Sequence, residues 1–189
     1  MVTIRNETFG DIQAREELLD RVWGLSRFGK TAERLREDRM PAEGLSLVAE
    51  DGRSFVGTVR LWHVCAGPDR PALLLGPLAV EEAHRCRGIG STLMRQAIVA
   101  ARRRKHRAIV LVGDEAYYGR FGFSAEKTGA LWLPGPYEQH RLIACELVPG
   151  ALDGVRGLIG ATGRSAPTPG LDFLIADLAH NGASPRHAA

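Results

Sequence analysis

The chain has little cysteine, few aromatic side chains and only a slight excess of positive charge. Its 189 residues include three cysteines, Cys65, Cys86 and Cys145, too few and too widely spaced for a disulfide framework or a Cys-x-x-Cys clamp, so no structural metal is expected. No apolar run approaches the roughly 18 residues that a membrane helix needs. The opening Met1-Val2-Thr3-Ile4-Arg5-Asn6 lacks the apolar block of a secretory signal, which points to a cytoplasmic protein without a membrane partner. Lys and Arg number 25 against 22 Asp and Glu, a net +3 that tolerates an anionic ligand but is too mild for a nucleic-acid footprint. Hydrophobic residues at 44% and charged residues at 25% make the balance of an ordinary globular protein, at a length that favours one domain with an appendage.

Residues 2–5 read as a first strand. Phe9-Gly10-Asp11 then supplies a turn and an N-cap for a helix carrying Ile12, Arg15, Leu18, Leu19, Val22 and Trp23 at helical spacing. A second helix is predicted over residues 31–40. Residues 45–50 and 54–63 form an antiparallel hairpin about Asp51-Gly52-Arg53. Residues 72–80 are apolar on both faces, as a central strand is, yet Pro77 cannot donate to a ladder. Either the strand is irregular at Gly76-Pro77 or its neighbour is missing there. Residues 88–105 form a long helix with Ile89, Leu93, Ala97, Ile98 and Ala101 on one face, followed by a strand at 107–112. Strand, helix and strand then make a right-handed crossover with parallel strands. Residues 117–121 make one or two helical turns, and 130–133 and 141–147 are closing strands joined by Pro134-Gly135-Pro136. After Pro149 the composition shifts to Gly, Ala, Pro and Thr. Residues 1–150 are therefore the expected domain and 151–189 an extension, irregular to about residue 170, with a short helix over 171–179. The fold class is α/β in the broad sense that includes α+β.

Arg85-Cys86-Arg87-Gly88-Ile89-Gly90-Ser91 lies where the apolar strand gives way to the long helix, so free backbone N–H groups and the positive helix end converge there. Glycines at 88 and 90 let a phosphate approach the backbone, Ser91 adds a hydroxyl, and Arg85 and Arg87 add charge. A turn that is only tightly packed would use the same glycines. A dinucleotide-binding turn is excluded because Leu93 stands at the third glycine and no acidic residue follows within 107–112; the Gly-Lys-Ser/Thr of a phosphate loop is absent as well.

In order and spacing, Leu78-Ala79-Val80, Arg85-x-x-Gly88-x-Gly90, a helix, a strand and Tyr118-x-x-x-Gly122-Phe123 resemble the GNAT superfamily of acetyl-coenzyme A dependent N-acetyltransferases, over about residues 3–148. Arg5-x-Glu7 with Asp11, Gly113-Asp114, residues 117–123, Pro134-Gly135-Pro136 and Glu146-Leu147-x-Pro149-Gly150 are similar to a bacterial subgroup of predicted acetyltransferases. The resemblance implies a mixed, mostly antiparallel sheet with splayed central strands flanked by helices, and pantetheine in the gap. It implies that Leu78, Ala79 and Val80 meet the pantetheine of acetyl-coenzyme A as a missing strand would, the backbone groups of Leu78 and Val80 pairing with its amides. Arg85, Arg87, Gly88, Ile89, Gly90 and Ser91 would hold the pyrophosphate, and Tyr118 would touch the coenzyme. Two positions depart from the family: Glu82 where Pro is frequent, and Cys86 where Gly is.

Acetyl transfer needs a neutral amine, a donor to the oxyanion and a proton for the departing thiolate. Tyr118 fits the last role, because a phenol of pKa about 10 stays protonated near neutrality and lies close to a thiol of about 8.5; core packing beside Tyr117 is the other reading. The oxyanion donor is expected to be a strand N–H near Val80. Residues 71–80 contain no carboxylate, which leaves water, Glu115 or an amine already neutral to account for deprotonation. No Cys-His or Ser-His pair is recognisable, so direct transfer to a primary amine, small or peptidic, is expected. The rival readings are a non-catalytic acyl-coenzyme A binding module and a nucleic-acid binder using residues 102–107. That basic cluster reads as a solvated helix end, about 25 Å from the glycine turn. His63 and His84 read as structural, with His84 near enough to meet a phosphate, and Trp23, Trp62 and Trp132 as packing or pocket walls. A homodimer is compatible with the family.

Overall fold

Apolar strands in the first half of the chain zip into an antiparallel meander: β1 (Val2–Asn6), β2 (Ser46–Asp51), β3 (Ser54–Ala66) and β4 (Pro71–Val80). The computed structural model describes residues 1–167, and the helix expected over 171–179 lies outside them. Strand β5 (Ala108–Val112) runs parallel to β4 because the long helix α2 (Ile89–Arg103) carries the chain back between them. Strand β7 (Leu142–Glu146) closes antiparallel on β5, giving the order β1-β2-β3-β4-β5-β7. The sheet is thus mixed and mostly antiparallel, as expected.

Helices cover both faces. Helix α2 buries Leu93, Met94, Ala97 and Ala101 against Val59, Leu61, Leu73 and Ile109. Their neighbours Trp62, Leu74 and Val110 point the other way, into a second core with Leu35 and Leu131. On that second face α1 (Ile12–Trp23) presses Leu18 and Leu19 onto Ala79. Asp11 precedes α1, but its carboxylate turns back to accept from the Thr8 amide at 2.7 Å and from Arg5 Nη2 at 2.7 Å rather than capping α1.

Three expectations are corrected. Residues 31–40 form one 3-10 turn, Glu33–Leu35, flanked by other turns, because Asp38 takes a left-handed φ of 52° and ends helical winding before Pro41. The pair β6 (Leu131–Trp132) and β7 does not meet. Instead β6 runs parallel to β8 (Gly157–Ala161), which lies antiparallel along the end of β3 that β2 leaves free, with Val64 opposite Ala161 and Ala66 opposite Ile159. The segment expected to be irregular after residue 150 therefore adds a strand to the sheet. Buried Leu152, Val155 and Ile159 anchor it, and the Met40 amide donates to Arg164 O at 2.8 Å farther along. Among the described residues no helix is long and apolar enough to cross a membrane.

Candidate active site

The irregularity that Pro77 foreshadowed is a bulge. Val59 faces Leu78 and Leu61 faces Leu75, so β4 spends three steps where β3 spends two, and the extra residue falls at Gly76-Pro77. Trp62 Nε1 donates to the carbonyl of Gly76 at 2.6 Å and holds the bulge in place. On its other side β4 pairs with β5 only through Leu73–Ile109 and Leu74–Val110, after which the two strands part. Both explanations offered for Pro77 are thus realised: the strand is irregular there and has lost a neighbour.

The exposed edge of β4 has a definite hydrogen-bonding register. The Glu81 amide donates to Val56 O at 2.9 Å, and Ala79 faces Thr58 two residues earlier. In an antiparallel ladder the intervening residues turn their N–H and C=O outward, so the backbone groups of Leu78 and Val80 face the gap. The gap opens into a cleft of about 850 Å³ whose lining includes Leu78, Ala79, Val80, Arg85, Gly88, Ile89, Gly90, Ser91 and Tyr118. Gly88 caps α2 with φ 78°, a conformation that costs most side chains, and Thr92 is the first residue whose amide finds a helical carbonyl, that of Gly88 at 2.9 Å. The amides of Ile89, Gly90 and Ser91 are therefore without helical partners, and no side chain caps them.

Arg87 departs from the sequence reading. Its side chain is not part of the cleft lining; Nη2 lies 3.0 Å from Asp51 Oδ2, at the end of β2. His84 does line the cleft and shares that carboxylate at 3.7 Å. Cys86 lines it as well, with an exposed side chain and φ 61°. Glu115 is tied to structure: its Oε2 accepts from the Ala125 amide at 3.2 Å, across the turn that follows α3 (Glu115–Tyr118).

Tyr118 packs edge-on to Tyr117, with centroids 4.8 Å apart, and against Phe123. Burial first, then the neighbouring Tyr117 and Asp114, push its phenol up to about 12. Gly113 makes room for the ring, since a Cβ there would lie 2.4 Å from Tyr118 Cε2. Several lining residues were not marked as binding groups in the sequence. The Tyr117 hydroxyl sits over the start of α2, 3.2 Å from where a Gly90 Cβ would be, and the Arg120 guanidinium stacks 4.2 Å from the Tyr117 ring centroid. Asp114 lines the cleft and pairs with Arg141, Nε to Oδ1 at 3.1 Å. The spacing of Tyr117 from Tyr118 was the one available signal, since adjacent residues on a helix end face different directions. Among the described residues no group of three or more His, Cys, Asp or Glu side chains is placed to hold a metal ion.

Comparison with known proteins bears on this arrangement directly. The family model described as an acetyltransferase (GNAT) domain matches residues 42–125, from just before β2 through the start of the turn after α3. An uncharacterised N-acetyltransferase of Escherichia coli K12, YhbS, is 30% identical over 157 residues, covering 82% of this chain and 93% of the relative. The chain belongs to the GNAT family. A crystal structure of E. coli YhbS in complex with CoA superposes with a TM-score of 0.73 at 30% identity, covering 85% of this chain and 89% of that one. A GNAT family acetyltransferase from Brucella melitensis, in complex with acetyl-CoA, gives 0.61 at 26% identity, covering 85% and 95%. As a GNAT acetyltransferase the chain has the splayed β4 and β5 that the resemblance implied, together with the bulge that Pro77 marked and a helix led by Gly88.

Proposed function

We propose that this acetyltransferase moves an acetyl group from acetyl-coenzyme A to an amine by direct attack. The observation that carries the reading is the β4 edge itself: the backbone groups of Leu78 and Val80 face an open cleft with the uncapped start of α2 beside it. An extended pantetheine fits that edge as an added strand. The amides of Ile89, Gly90 and Ser91 suit a pyrophosphate, with Arg85 supplying charge, and Arg87 contributes through its backbone while its side chain serves Asp51.

Acetyl-coenzyme A supplies a thioester whose C–S bond breaks as the new C–N bond forms. One proton must leave the amine and one must reach the departing sulfur. Tyr118, half-buried and firmly protonated, is the donor to sulfur, and the same desolvation that raises its pKa raises that of the thiol beside it. A Val80 or Leu78 N–H facing the cleft is the donor to the oxyanion. No residue of β4 carries a carboxylate and Asp114 is held by Arg141, so the amine gives up its proton to water before it attacks.

Isothermal titration of coenzyme A into the chain and into Gly88→Trp tests the site. At least about a tenfold loss is expected, because the indole would cover the three free amides at a position with open space around its Cβ. Unchanged affinity removes the turn from the coenzyme site. Release of free thiol from acetyl-coenzyme A across an amine panel tests the reaction, and tight binding with no transfer would favour the regulatory-module reading. Three free thiols suit a cytoplasmic setting, where we place the enzyme. We assign a homodimer as its assembly on the family resemblance, and sedimentation at single-copy mass overturns that assignment.

A further inference from the structure

On the α1 face of the sheet, beside the β4 bulge, the Arg36 guanidinium is left incompletely matched. Arg36 has a side chain only 8% exposed. Its Nε donates to Ala32 O at 3.1 Å and its Nη2 lies 3.0 Å from Glu33 Oε2, yet Nη1 is buried with no hydrogen-bond partner. That nitrogen lies beside the bulge: a Cβ on Gly76 would stand 3.8 Å from it, so it borders the side of β4 that the glycine leaves without a side chain. This is also where β4 parts from β5, just past the Leu74–Val110 pair.

The surroundings add positive charge. Lys30 stacks 4.0 Å over the ring of Trp23, a cleft-lining residue, and among the described residues it has no carboxylate at ion-pair distance. Burial, then the charges of Arg36 and Arg141, lower its pKa. Of the other nearby guanidiniums, Arg27 is answered by Asp20 and Glu16 and Arg60 by Glu7, while Arg141 lies at ion-pair distance from Asp114 although its Nε makes no hydrogen bond. The segment bearing Lys30 and Arg36 is fixed across the face by Thr31 bonding Pro136 O and by Arg34 Nη1 donating to Pro134 O at 2.8 Å. A buried, pre-oriented donor with a cation beside it is the arrangement that recognises a carboxylate.

We propose that Arg36 Nη1, with Lys30, receives a carboxylate of the acceptor, so that the amine acetylated here is a small amino-acid-like molecule whose carboxylate lies near its amino group. The inference rests on the acetyl-transfer reading, which sets the reacting carbonyl against the part of β4 that follows the bulge beside this nitrogen. A single unpartnered Nη1 beside a glycine favours a planar carboxylate over a phosphate, and its burial favours a small molecule over a protein surface.

Calorimetry on the full chain separates the two readings. Coenzyme A is titrated first, and its binding is decided by that arm alone. The N-acetyl derivatives of the common amino acids are titrated next, each beside its carboxamide, into both free and coenzyme-loaded protein. At least one acid is expected to bind about tenfold or more tightly than its amide. Arg36→Gln should bring that preference to within about twofold, leave coenzyme A affinity unchanged, and raise KM for the free amino acid more than it lowers kcat. Acids and amides binding alike, neither binding at millimolar concentration, Arg36→Gln keeping the preference, or a carboxylate-free polyamine or a peptide amino terminus proving the better acceptor would each overturn the proposal. Should Arg36→Gln fail to fold by circular dichroism, Lys30→Ala at an exposed position is expected to cut the preference about threefold, and an unaltered preference overturns it equally.

Discussion

At the scale of single residues, the catalytic assignment depends on how dry Tyr118 is. Its phenol is pushed up to about 12, mainly by burial, so it keeps its proton well above neutrality. A rate profile that falls with a pKa near 10 would contradict this; the expected profile rises toward the pKa of the amine and shows no loss from the phenol up to about pH 10. Tyr118→Phe should lower kcat by about tenfold or more with little change in coenzyme affinity, as transient kinetics would show. Gly113→Ala tests placement while leaving the phenol intact. The added Cβ would meet Tyr118 Cε2 at 2.4 Å and Leu111 Cδ1 at 3.0 Å, and a rigid ring must move to admit it. A turnover loss of about tenfold or more with a changed near-ultraviolet dichroism signal is the expected result.

At the scale of elements, the turn into α2 was legible in the sequence because its chemistry is local. Free amides at a helix start and glycines at 88 and 90 follow from position alone. The direction of the Arg87 side chain was not legible, since Asp51 lies far away in the sequence and meets it only through sheet pairing. Cys86 offers a direct probe of this element. It is exposed in the cleft, while Cys145 is buried with its thiol pKa pushed up by that burial. Mass spectrometry after brief alkylation is expected to find Cys86 labelled first, at a rate that coenzyme A slows; equal labelling with and without coenzyme A would place the ligand elsewhere. Pro77 was a second local signal, marking the bulge and the missing neighbour together, whereas β8 gave little sign because glycine-rich sequence orders there against a free edge of β3.

At the scale of the whole molecule, charged side chains tie the amino-terminal strand to the turn before α1. Arg5 binds both Asp11, at 2.7 Å, and Glu50, at 2.5 Å. The bond from Arg5 holds the Asp11 carboxyl well below the usual carboxylate range. A depressed carboxylate contributes stability above its unfolded pKa of about 3.9 and loses it as pH falls through the folded value, so this contribution fades below about pH 4. Asp11→Asn should cost about 2 kcal/mol near neutrality, lowering Tm by about 6 °C, and the gap to the parent chain should narrow at pH 3. Thermal melts at the two pH values check the sign, and a gap that widens in acid would exclude the mechanism.

The amino-acid sequence by itself determined the family, the order of most strands and helices, and the residues that meet at the glycine turn. The family came from the resemblance of ordered motifs, while the elements and the turn follow from periodicity, helix-end chemistry and the backbone limits of proline and glycine, all of which act over a few residues. Tertiary structure alone decided which edge β8 joins, which cations find carboxylates, and which arginine nitrogen is buried beside the β4 bulge without a partner. A buried guanidinium and a solvated one are written with the same letter, and their difference arises only when distant segments close around them and remove the water.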